Sequence, residues 1–134
     1  MAAGRSLEKK YHREEVKDRK DAILRMDKKI SDYVRKRDGN KCIRCGNVLN
    51  RIDVHHIKRR SIYSLRWDEK NLITLCLNCH EWAQNNKEGY EDFLWLLLET
   101  KGIEYLAIKS REYFKTSLTN LLSKEIEIDK LCQE

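Results

Sequence analysis

The sequence predicts an α+β protein, a small pair of strands pinned by a four-cysteine zinc double knuckle and flanked by N-terminal and C-terminal helices. Three observations carry that expectation. Cys42-x2-Cys45 and Cys76-x2-Cys79 form two ligand pairs. Two short runs, "RIDVHHI" at 51–57 and "LITLC" at 72–76, are rich in β-branched residues and suit strands. Before and after them, apolar residues return at helical spacing.

Residues 6–20, "SLEKKYHREEVKDRK", are polar on nearly every face, which suits either a solvated helix or a mobile basic arm. Ile23, Met26, Ile30 and Tyr33 or Val34 then recur at helical intervals, and Asp38-Gly39 supplies a stop. A helix is expected over 21–37. "KCIRCGN" follows as a tight turn, with Gly46 suited to its sharp bend. The segment between the strands, 58–71, is too long for a tight hairpin turn, and loops of that length often carry function. "NCHEWAQNNK" reads as a helix, "EDFLWLLLETKG" as a second ending at Gly102, and residues 103–132 as a third, longer one. The expected division is a basic arm or solvated helix over 1–20, a central domain over 21–101 and a C-terminal helix over 102–134.

At 134 residues, 37% of them charged, the chain can fill one modest core that needs a staple. Through Lys70 there are 21 basic and 11 acidic residues, net +10; from Asn71 there are 7 and 11, net −4, which together give +6. So basic a half favours a polyanion, and nucleic acid is the commonest one in cells; the plainer alternative is a Lys-rich solvated surface. The longest apolar stretch, "FLWLLL" at 93–98, is far too short to span a bilayer, and no export pattern is present. A soluble cytoplasmic protein is expected, without a disulfide framework. Cys132, outside the two pairs, suits one side of a terminal helix.

Zinc takes four thiolates at tetrahedral corners, and Cys42, Cys45, Cys76 and Cys79 deliver two from each knuckle. The bland alternative is four reduced, buried cysteines. A filled four-thiolate shell leaves no open position, so this Zn2+ would staple the fold and do no chemistry.

Around the knuckles lie His55, His56, Asn71 and His80, with the spacing His56-x14-Asn71-x8-His80. Singly, each has an ordinary explanation as a hydrogen-bonded histidine or a turn asparagine. Together, "HHIKRRSIYSLRWDEKNLITLCLNCH" resembles the HNH endonuclease family, and is most similar to the small HNH proteins of tailed bacteriophages. The likeness covers residues 42–84. It implies a ββα-metal core: two strands, a long loop and a helix holding a catalytic metal. It implies His56 as general base, Asn71 holding the loop and orienting that imidazole through its side-chain carbonyl, and His55 with His80 as ligands of a divalent ion. Neighbouring histidines on opposite faces of a strand then have a use, if the strand ends there. Some relatives carry a further histidine where this chain has Gln84, a poorer ligand. Two firm protein ligands, several waters and activity with Mg2+ or Mn2+ are therefore expected, at the risk of a slow enzyme.

Lys58, Arg59, Arg60 and Arg66 are expected to grip phosphates of double-stranded DNA without reading sequence. For Arg66, an ion pair with Asp68 or Glu69 is the competing assignment. Trp67 and Tyr63 are expected to pack the loop onto the core. The implied activity is nicking or cutting of duplex at low sequence specificity, leaving a 5′-phosphate and a 3′-hydroxyl. A phage setting would imply work beside the large terminase and portal. The alternatives are a junction-resolving or recombination nuclease, dimerised by its C-terminal helix, and a noncatalytic zinc-ribbon module that binds DNA. The chain itself is expected as a monomer or homodimer.

Overall fold

Helix α1 runs from Ala2 to Arg37 in the computed structural model, which describes residues 2–134. After it come β1 (Ile52–His56), α2 (Tyr63–Arg66), a single 3-10 turn (Glu69–Asn71), β2 (Leu72–Cys76), α3 (Leu77–Asn85), α4 (Lys87–Lys109) and α5 (Leu118–Cys132). The chain divides into two compact units, Ile30–Phe114 and a second made of Met1–Lys29 with Lys115–Glu134. The mixed architecture expected from the sequence is present: a two-stranded antiparallel sheet, a cysteine cluster and flanking helices.

In the unit Ile30–Phe114 the strands pair with His55 opposite Ile73 and His56 opposite Leu72. All five residues of β2 are buried, whereas β1 is half-buried throughout. Ile73, Leu75, Cys42, Cys76, Cys79 and Ala83 form one buried cluster against which Ile43, Ile52, Trp82 and Phe93 pack. The end of α1 is tied into this unit by Arg37, whose Nη1 donates to the Glu69 carbonyl (2.7 Å) and Nη2 to that of Leu72 (2.6 Å). Asp38 beside it accepts the Thr74 main-chain N–H at 3.1 Å. One Arg-Asp pair thereby anchors both the loop and β2.

The helix boundaries after residue 86 differ from the sequence expectation. Gly102 does not end a helix: α4 continues through it to Lys109. A Cβ at Gly102 would lie 2.8 Å from Leu98 Cβ, so glycine here permits a close approach inside the helix. The interruption falls instead at Glu99, with φ 58 and ψ 179. The expected helix over 103–132 is likewise two helices, because the chain leaves α4 at Ser110 and restarts at Leu118. Ser117 marks the restart, its side chain accepting the Asn120 N–H at 3.3 Å as an N-cap.

In the second unit, Ala22 and Met26 of α1 are buried, as are Leu121 and Ile128 of α5. Glu125, 8% exposed, accepts from Arg25 Nε and Nη2, both at 3.0 Å, and from Lys29 Nζ at 3.1 Å. Residues 4–15 of α1 are exposed all round.

Candidate functional site

The four cysteines converge. Their sulfurs all lie within 4.8 Å of one another, with Cys45 and Cys76 Sγ 3.7 Å apart. A tetrahedral shell at about 2.3 Å per Zn–S bond needs sulfurs about 3.8 Å apart, so the set fits one zinc ion. Each knuckle is shaped locally. The Gly46 N–H donates to the Cys42 carbonyl (2.8 Å), with Gly46 at φ 77 in the left-handed region that glycine tolerates. In the second knuckle Cys76 caps α3, its sulfur accepting the Cys79 N–H at 3.4 Å. Hydrogen bonding of Ile43 N–H to the Thr74 carbonyl (3.1 Å) joins the first knuckle to β2. Electrostatics divide the thiols. Burial pushes Cys79 up to about 12 despite the Arg44 guanidinium beside it. Burial also acts upward on Cys42, but backbone N–H groups of Cys76, Cys45 and Arg44 outweigh it and hold that thiol at about 7.

The adjacent histidines diverge at the end of β1. The His55 ring meets the ring of His80, from α3, with centroids 5.0 Å apart at 73°. His55 Nε2 is 2.7 Å from the Tyr90 hydroxyl, from α4. Burial, followed by the nearby His80 and His56, pushes His55 down to about 4, so its imidazole is neutral at physiological pH. Burial raises Tyr90 to about 12, keeping the phenol protonated. Among the described residues, the only group of three or more His, Cys, Asp or Glu side chains placed for a single ion is the cysteine set. Gln84 is exposed one turn beyond His80 on α3.

His56 turns the other way. Its Nε2 is 3.1 Å from the main-chain carbonyl of Arg66, in α2. Asn71, fully buried, has its side-chain carbonyl on the Lys58 N–H (2.7 Å) while Nδ2 donates to the carbonyls of Lys58 (3.0 Å) and Leu65 (3.2 Å). Asn71 therefore clasps both ends of the segment 58–65. The family resemblance implied its side-chain carbonyl on the imidazole; here that carbonyl takes the Lys58 N–H, and Nδ2 reaches the Leu65 carbonyl, next to the Arg66 carbonyl that faces His56.

Lys58, Arg59 and Arg60 are exposed just past β1. Arg66 is only 8% exposed, its guanidinium carbon 5.4 Å from the Tyr63 ring and 5.7 Å from the Trp67 ring. Trp67 is buried against Tyr63 and Phe114, as expected of a loop anchor. Asp68 accepts from the Tyr105 hydroxyl, and Glu69 pairs with Arg37 at 3.1 Å. Sequence reasoning passed over Tyr90 and Arg44. A lone tyrosine ten residues past His80 gives no periodic signal, and Arg44 is only the second x of a C-x2-C pair.

Residues 42–86, which hold both knuckles, both strands and α3, match the model of the HNH endonuclease family. The match covers about a third of the chain and is a similarity to HNH endonucleases over that span. No curated protein and no solved structure matches it.

Proposed function

We propose that the protein is a metal-dependent DNA endonuclease that hydrolyses phosphodiester bonds, nicking or cutting duplex with low sequence preference. The observation that carries this is the convergence of His55 and His80 on one side of the end of β1, with His56 on the other, inside the HNH match. In this assignment His56 is the general base. A main-chain carbonyl can only accept, so His56 Nε2 carries the proton and Nδ1 is the basic nitrogen. That nitrogen takes a proton from water as the water oxygen attacks phosphorus and the bond to the 3′ oxygen breaks. Asn71 holds the Leu65 carbonyl and so keeps the loop in register for the Arg66 carbonyl to meet His56 Nε2.

His55 and His80 would hold the divalent ion, Mg2+ or Mn2+, with Gln84 a weak third candidate. Tyr90 occupies His55 Nε2, which leaves Nδ1 for the ion, the usual arrangement in which an outer partner orients a ligating imidazole. Bound there, the ion supplies Lewis-acid stabilisation of charge on the phosphate and the leaving oxygen. Lys58, Arg59 and Arg60 would grip the DNA backbone, with Arg66 as the inner clamp. The four-thiolate zinc only braces the fold. The nuclease domain is taken as 21–101, with 1–20 and 102–134 as additions to it.

Supercoiled plasmid incubated with the protein tests the proposal. Nicking with Mg2+ or Mn2+ that stops with chelator is expected. Binding without cutting under every ion would overturn it and favour the noncatalytic zinc module. A four-way junction cut far faster than linear duplex would promote the junction-resolving alternative. The likeness to phage proteins extends the proposal to a cytoplasmic role beside the large terminase and portal during DNA packaging, as monomer or homodimer.

A further inference from the structure

Arg44 stands inside the first knuckle, between two of the four thiols. Its guanidinium carbon lies 3.4 Å from the centroid of the Trp82 ring on α3, and its Nη1 donates to Cys79 Sγ at 3.3 Å. Trp82 meets Phe93 edge-on (6.2 Å, 82°) and packs on the cluster that contains Cys42, Cys76 and Cys79. A long, exposed side chain is thereby held flat on an indole face with one N–H aimed at a metal-site sulfur. Cation–π stacking at this distance supplies the geometry, and the flat fork of arginine suits both contacts at once.

Four thiolates around a divalent ion carry a net charge of −2, and each sulfur keeps lone pairs open to electrophiles and to exchange. A charge-assisted hydrogen bond to one thiolate withdraws electron density from it and offsets part of that charge. We propose that Arg44 is the positioning and shielding residue of the zinc site. Its guanidinium, docked on Trp82, covers the Cys79 sulfur and slows loss of the ion to chelators and thiol-directed electrophiles. The inference goes beyond the nuclease assignment and requires only that the cysteine set holds zinc.

The test uses the full chain loaded with zinc, with release followed by a chromogenic chelator in the presence of iodoacetamide. Arg44→Met keeps a long stem for the indole but removes charge and donor. It is expected to speed zinc release at least about tenfold, the scale at which outer-shell partners act on metal sites. Arg44→Lys, which keeps the charge but not the flat fork, should fall between the two. In the cobalt-loaded protein, Arg44→Met should also shift the sulfur-to-cobalt charge-transfer band, a signature that loosened packing alone would leave in place. Wild-type release rates and an unshifted band would overturn the proposal. The same result with weakened DNA binding would make Arg44 a phosphate contact instead. Should Arg44→Met fail to load metal, Arg44→Gln, which keeps an N–H donor without charge, is scored by the same two measurements.

Discussion

Two histidines that adjoin in sequence serve different neighbourhoods because β1 ends with them. His55 turns to His80 and Tyr90, and His56 turns to the Arg66 carbonyl. If His56 is the base, His56→Ala should lower plasmid nicking by roughly 10²–10⁴-fold while circular dichroism and zinc content stay unchanged. An active variant would remove His56 from the chemistry. Asn71→Ala should behave differently. It strips partners from the Lys58 N–H and the carbonyls of Lys58 and Leu65. A stability loss of about 2–4 kcal/mol is expected from such orphaned buried groups, seen as a lower denaturant midpoint alongside lost activity. Loss of nicking at full stability would instead make Asn71 purely chemical.

At the scale of single elements, α4 carries its own fault. Glu99 has positive φ with an extended ψ, a region that favours glycine, while three residues on Gly102 is helical and crowded against Leu98. The two positions therefore respond oppositely. Glu99→Gly should raise the melting temperature by a few degrees, as relief of about 1 kcal/mol of strain would. Gly102→Ala should lower it. Helix α5 depends on charge as well as packing. Hydrogen bonds from Arg25, ahead of the opposing effect of burial, and from Lys29 hold the Glu125 carboxyl below the usual carboxylate range. A depressed carboxyl contributes stability that is complete above its unfolded pKa, about 4.3, and is lost as pH falls through its lower folded value. Protection factors of α5 amides, corrected for the intrinsic pH dependence of exchange, should therefore fall below about pH 4. Glu125→Gln should be less stable at neutral pH and show a flatter acid response; an unchanged acid profile would contradict the linkage.

For the whole molecule, metal and charge set the outer limits. β2 is fully buried and ends in Cys76, so a zinc ion held by the cysteine set would contribute folding free energy to the unit Ile30–Phe114. Cys42→Ser, or stripping the ion with a strong chelator, should expose β2 amides to exchange rather than merely lower activity. DNA affinity should fall linearly in log–log terms with salt. Removing Lys58, Arg59 or Arg60 one at a time should each reduce that slope by about 1. No described helix is long and apolar enough to cross a membrane.

Much of this was open to a reader of the chain alone. Paired C-x2-C turns, two β-branched runs and helical periodicity are local or fixed-interval signals, so the sheet, the cysteine cluster and α3 could be placed from spacing. Tertiary structure alone decided the rest. Whether Gly102 ends or tightens a helix depends on the break at Glu99, which brings Leu98 of the same helix against it. Tyr90 reaches His55 and Arg44 reaches Cys79 only because three elements fold together, contacts 35 residues apart that leave no periodic trace. The same holds for Arg66, which the folded loop leaves 8% exposed beside the rings of Tyr63 and Trp67. Local chemistry writes itself into a sequence, whereas the partner of a buried polar atom is chosen by packing.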